Sequence, residues 1–172
     1  HKLFPSLSKS IFGSKFARII NKNKFISPKT EINKPTLVEV VSGALMFFRK
    51  DIFDSIKGFD KLFFLDCEEE DISKRVWNLG KKVYMIPEPE VTHTHGGSKD
   101  DSSDLRNEYY ISYKKLIFKQ YGFTYSLLMM IFVYLKILKL LISGRCDVTL
   151  IILALKGFPE SDSLRYKQKR ID

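Results

Sequence analysis

The chain has 172 residues, 44% hydrophobic and 13% aromatic, which excludes wholesale disorder and suffices for one packed domain with an appendage. Its formal net charge of +9 admits an anionic partner, but the basic residues cluster at the two ends. No aromatic-interleaved basic face or known module marks a nucleic-acid binder, and Cys67 and Cys146, far apart, exclude a disulfide scaffold or zinc module and suit a reducing cytoplasm.

The chain opens on His1 with no signal-peptide pattern, so the expectation is a stretch of a longer protein. Residues 1–35, rich in Lys, Ser, Asn and Pro, read as surface loop with a short helix over 10–20. The β-branched and aromatic run over 38–48 is interrupted by Ser42-Gly43-Ala44 and predicts a buried strand with a close-approach glycine. Asp51 then caps or starts a short helix over 52–56, which Gly58 ends at the first left-handed position. A second helix is predicted over 68–79, with Ile72, Val76 and Leu79 inward and Gly80 closing it. Residues 82–86 alternate as a strand up to Pro87, and 91–95 continue extended before Gly96-Gly97-Ser98 turns away.

A long helix is predicted over 105–121. Residues 123–135 are apolar around the whole circumference, but at ~1.5 Å per residue they reach only about 20 Å, short of a hydrocarbon core. Extending to Ile142 gives the length, with Lys136 and Lys139 snorkelling, and 148–155 form a second, shorter apolar run. The expectation is an interfacial or half-buried helical hairpin, its basic flanks facing an anionic membrane, although solvated lysines would give the same charge distribution.

Two patterns carry chemistry. Glu68-Glu69-Glu70-Asp71, followed by Arg75, puts Glu68, Asp71 and Arg75 on one helical face, with Glu69 about 100° around. Carboxylates in a first turn are favoured in their ionised form, and beside a cleft one can take a proton from a hydroxyl; a solvated acidic helix start has the same composition. His93-Thr94-His95 places two imidazoles on one face of a strand, which is two ligands and not a metal site.

Taken in order, the pieces resemble the family 2 glycosyltransferases, especially the bacterial rhamnosyltransferase-like group. The match runs through Phe4-Pro5-Ser6-Leu7, Val41-Ser42-Gly43-Ala44, Arg49-Lys50-Asp51-Ile52-Phe53, and Lys57-Gly58-Phe59-Asp60 with Phe63-Phe64. It continues through the acidic motif from Glu68 to Arg75, then Pro87 and the stretch from His93 to Ser98, covering about residues 4–122. The resemblance implies an α/β fold: the acceptor-side half of a GT-A domain over 1–122, a mixed sheet of the strands above with flanking helices. A helical, membrane-associated extension follows over 123–172.

The resemblance also implies roles. The catalytic base falls on Glu69, with Glu68 the alternative. Ser42, Gly43 and Ala44 line the acceptor and donor-sugar cleft, Asp71 and Arg75 hold the motif's helix beside substrate, and Ser98 belongs to the later substrate element. His93 matches the histidine near the diphosphate and metal, and His95 stands where a glycine is common. Asp66 stands where an aromatic residue is usual.

The implied reaction is an inverting transfer from a nucleotide-diphospho-sugar to a cell-surface glycan or lipid-linked acceptor, at the cytoplasmic face of a bacterial inner membrane. A divalent cation, Mg or Mn, would offset charge on the leaving diphosphate, held mainly by an Asp-x-Asp motif in a nucleotide-binding half. No Asp-x-Asp precedes Ser42 here, so this chain by itself is expected to transfer no sugar. The competing readings are a non-catalytic membrane module and a metal-dependent hydrolase built on His93, His95 and a carboxylate.

Overall fold

Helices follow the sequence pattern closely in the computed structural model, which describes residues 4–5, 32–88, 90–92 and 103–167. Two compact units form: the first draws on residues 1–61 and 68–95, the second on 62–67 and 96–172. The expected helix over 10–20 lies outside the described residues.

In the first unit, β1 (Thr36–Leu37) pairs antiparallel with β2 (Tyr84–Met85), with Thr36 opposite Met85 and Leu37 opposite Tyr84. Val38 N–H extends the ladder by donating to Val83 O at 2.9 Å. Val38 and Val40 point inward and are buried, as a period of two requires.

The expected mixed sheet of three strands is not what forms. The described elements are mostly helical, with one two-stranded sheet. The strand that forms lies ahead of the run over 38–48, which keeps only an isolated bridge at Val40 before it turns at Gly43 and Ala44, Ala44 N–H reaching Ser42 Oγ at 3.4 Å. Beyond the turn, no neighbouring strand among the described residues accepts residues 45–49, and a lone strand leaves its backbone groups unpaired. Val91 and Thr92 are also not in a strand, and 93–95 lie outside the described residues.

α1 (Lys50–Ser55) begins after Arg49, and Asp51 is not its cap. Asp51 sits in the first turn and accepts from Arg49 Nε at 3.1 Å and Nη2 at 2.7 Å, which lowers its pKa. The helix closes with Lys57 N–H on Asp54 O and Gly58 N–H on Phe53 O at 2.9 Å, a Schellman arrangement whose first left-handed residue is Lys57, at φ 59°. Gly58 follows at φ 65°, and a Cβ there would lie 3.0 Å from the Phe53 ring. The left-handed stop expected at Gly58 therefore falls one residue earlier, at Lys57. Phe48, Phe53 and Phe59 pack tilted or edge-on, with centroids 5.2 to 6.2 Å apart.

α2 (Glu68–Asn78) is the first unit's main helix. Ile72 and Val76 are buried four residues apart, worth about 1.5–3 kcal/mol each. Leu79, expected on the same stripe, lies past the last helical residue and is 47% exposed. Gly80, at φ 70°, ends the helix by donating to Trp77 O at 2.9 Å, as the sequence predicts.

The second unit is helical. α3 (Ser103–Gln120) packs against α4 (Phe123–Ile142), α5 (Val148–Leu155) and the short α6 (Leu164–Lys167), which follows a 3-10 turn at Glu160–Asp162. α3 lies before the sequence boundary at 122 but shares this unit with the helices after it. Ile111 and Ile117 on α3, Met129, Val133 and Ile137 on α4, Leu150 on α5 and Phe158 are buried. Ser126 Oγ donates to Ile117 O at 2.8 Å, a carbonyl that also accepts from Tyr121 N–H at 3.0 Å, and so ties the first turn of α4 to the last turn of α3. Glu108, buried on α3, accepts from Ser163 Oγ at 3.0 Å and Leu164 N–H at 2.8 Å, which fixes the start of α6. Asp147 caps α5 through Thr149 N–H at 2.9 Å.

Candidate active site

The first unit gathers two sequence motifs that lie about 25 residues apart. α2 opens with Glu68, Glu69, Glu70 and Asp71 in its first turn, and the turn at Gly43 passes against it. A Cβ placed on Gly43 would lie 3.8 Å from Glu69 Oε2 and 3.9 Å from Glu68 Oε1. Both carboxylates therefore reach the same exposed glycine. Glu69 is buried at 8% exposure and Glu68 half-buried, while Ser42, Gly43 and Ala44 are exposed.

The residues before α2 set its entry. Asp66 and Cys67 both take positive φ, 64° and 69°, immediately ahead of Glu68. Two such residues in sequence are uncommon outside glycine, at about 1–2 kcal/mol each, and Asp is among the side chains that tolerate the conformation best. Strained backbone persists where its surroundings over-determine it, and such positions concentrate at functional sites.

Asp71 is fully buried and accepts from Arg75 Nε at 2.8 Å, one helical turn away. Arg75 Nη1 donates to Ile56 O at 2.6 Å, tying α2 to the end of α1. The pair holds the helix that presents Glu68 and Glu69. Trp77 Nε1 donates to Glu39 O at 3.1 Å, and Glu39 Oε2 accepts from Phe4 N–H at 2.9 Å, which brings the first matched motif to the same unit.

A cavity of about 700 Å³ lies within the first unit, lined by Ser42, Ala44, Phe47, Ser73, Val83 and Met85 among others. Its size suits a small ligand, and its lining is largely apolar. Glu68 and Glu69 are not among its lining side chains. Ser73 was missed in the sequence. It is 1% exposed, and its Oγ has no hydrogen-bond partner among the described residues. Its signal was its position one turn after Glu69 on the same helical face.

His93, His95 and Ser98 lie outside the described residues. Among the described residues no three His, Cys, Asp or Glu side chains converge to hold a metal ion.

Comparison with known proteins bears on this arrangement. Over 90 residues, 52% of this chain and 33% of the relative, the sequence is 33% identical to Rhamnosyltransferase WbbL of Escherichia coli (strain K12). Over 67 residues, 38% of this chain and 22% of the relative, it is 30% identical to N-acetylglucosaminyl-diphospho-decaprenol L-rhamnosyltransferase of Mycobacterium tuberculosis. The chain resembles rhamnosyltransferases over part of its length. It spans about a third or less of the length of these curated relatives. No family model and no solved structure matches it.

Proposed function

We propose that this chain is the acceptor-side part of an inverting, family 2 glycosyltransferase of GT-A type, with Glu69 as the base that activates the acceptor hydroxyl. The observation that carries the reading is the convergence of Glu68 and Glu69 on Gly43. A glycine there keeps open the space beside the carboxylates that an incoming sugar hydroxyl needs.

In the reaction, the acceptor oxygen attacks the anomeric carbon while the bond from that carbon to the nucleoside diphosphate breaks. The hydroxyl proton passes to the Glu69 carboxylate as the new bond forms. Glu68 supports the same locus, Asp71 and Arg75 fix the helix, and Ser42 to Ala44 offer close backbone approach to substrate. A divalent cation, with most ligands in a nucleotide-binding half and His93 near it, would neutralise the leaving diphosphate.

The names of the relatives suggest L-rhamnose as the sugar and a lipid-linked N-acetylglucosaminyl diphosphate as the kind of acceptor. The proposed place of the reaction is the cytoplasmic face of the inner membrane. The test uses the longer protein with a nucleotide-diphospho-rhamnose donor and such an acceptor. The expected result is acceptor-dependent release of nucleoside diphosphate together with a rhamnosylated product. The 172-residue chain by itself is expected to give neither. Transfer by that chain, or release from the longer protein with no acceptor product, contradicts the proposal.

A further inference from the structure

We infer that α4 lies flat in the surface of an anionic phospholipid bilayer, with one side on the protein and the opposite side in lipid, and does not cross the membrane. By length and composition α4 is able to span: it has 20 residues, high mean hydropathy and no acidic side chain. The packing decides against it.

One stripe of α4 is already committed. Ser126, Met129, Val133 and Ile137 are buried within the second unit, and Ser126 Oγ is bonded to a carbonyl of α3. α3 lies against that stripe and carries Arg106, Glu108, Lys114, Lys115 and Lys119. Its ions are held in place: Lys114 Nζ donates to Gly157 O at 2.6 Å, and Lys115 Nζ to Leu62 O at 3.2 Å and Glu160 Oε1 at 3.0 Å. A spanning α4 would carry these ions into hydrocarbon or strip α4 of its packing, and both are costly.

The other side of α4 is exposed and apolar along its full length. Phe123, Leu127, Ile131, Leu135, Leu138 and Ile142 fall within an arc of about 120° at ~100° per residue. Phe123 and Ile142, at the two ends, are 72% and 79% exposed. Apart from Thr124 and the hydroxyl of Tyr134 the arc offers no polar group, so it is poor in the donors and acceptors with which a specific protein partner is fixed. Lys139 and Lys136 stand at one border of this arc, between it and the buried stripe. Apolar residues inward with lysines at the rim are the layout of an interfacial helix on anionic lipid.

This inference does not depend on the sugar-transfer reading, because its tests need neither donor nor acceptor. The full-length protein is mixed with phosphatidylcholine vesicles with and without phosphatidylglycerol. It should sediment with the anionic vesicles and be released by salt only in part. Leu135→Glu with Leu138→Glu should weaken that partition by at least about tenfold, given the area each leucine buries, with the thermal transition unchanged because both sites are exposed. Orientation is read in sealed inside-out vesicles with a membrane-impermeant maleimide, on a background of Cys67→Ala and Cys146→Ser. Gly122→Cys and Ser143→Cys, exposed just beyond the two ends of α4, should both label from the outside. Labelling at one end alone overturns the in-plane geometry and makes α4 a span. Absence of vesicle binding overturns the inference, as does a soluble dimer that Leu135→Glu dissociates, which would assign the face to a second copy.

Discussion

Asp71→Ala is the sharpest probe of what holds the carboxylate pair in place. The Asp71 side chain is 0% exposed and that of Arg75 19%, and they meet at 2.8 Å. Removing one partner from a fully buried pair costs about 3–5 kcal/mol, because the other charge is left without compensation. Arg75 keeps some contact with water and keeps its bond to Ile56 O, so the expected loss is nearer 2–3 kcal/mol. In a chain of this size that lowers the melting temperature by roughly 5–10 °C. Trp77 is the sole tryptophan, stands on α2 and donates to Glu39 O, so its fluorescence reports unfolding of the first unit directly. Urea titrations of the wild type, Asp71→Ala, Arg75→Met and the double variant Asp71→Leu with Arg75→Met complete the test. The double variant should recover to within about 1 kcal/mol of the wild type, because apolar residues replace the pair without a stranded charge. A loss below about 1 kcal/mol for Asp71→Ala, or a double variant no better than the single, would refute the argument.

Three further outcomes are expected. Ser73→Ala should leave the Trp77 transition unchanged or slightly raised, since the hydroxyl it removes is buried with no hydrogen-bond partner among the described residues; a loss above about 1 kcal/mol would reveal a partner. Glu108→Ala should cost roughly 2–4 kcal/mol, because the buried Ser163 Oγ and Leu164 N–H lose their acceptor, and amide exchange over α6 should accelerate before that of α3. Asp147 and Glu160 both have lowered pKa values, Asp147 chiefly through Thr149 N–H and Glu160 chiefly through Lys115. Their ionised forms are thus favoured in the folded state, so their stabilisation is present above the ordinary carboxylate range and lost as pH falls through it, below about pH 4. Circular dichroism melts of the wild type should show this slope, and Asp147→Asn with Glu160→Gln should flatten it.

The helices were legible because their signals are local. Gly80 marks the end of α2, and the apolar period locates the buried stripes. The strand expected over 38–48 does not form, since a strand's backbone needs a partner that local sequence does not name, and the small residues that make Gly43 approachable also turn the chain there. Lys57 in a left-handed position one residue before Gly58 is another tertiary outcome, shaped by the Phe53 ring that Gly58 must pass. The acidic run was visible as a run, and its place at the N-terminus of a helix was readable from the pattern. That Glu68 and Glu69 both meet Gly43 is a long-range fact, which only the fold supplies.

The proposal rests on Glu69 as proton acceptor, and turnover of the longer protein tests it most directly. Glu69→Gln preserves the size and packing of the side chain and removes its basicity, so kcat for rhamnosyl transfer should fall by about 10² to 10⁴ while stability is kept. Glu68→Gln should cost much less. If Glu68→Gln is the more damaging change, the base is the other carboxylate. If both variants turn over within about tenfold of the wild type, the carboxylate pair beside Gly43 is not the catalytic centre.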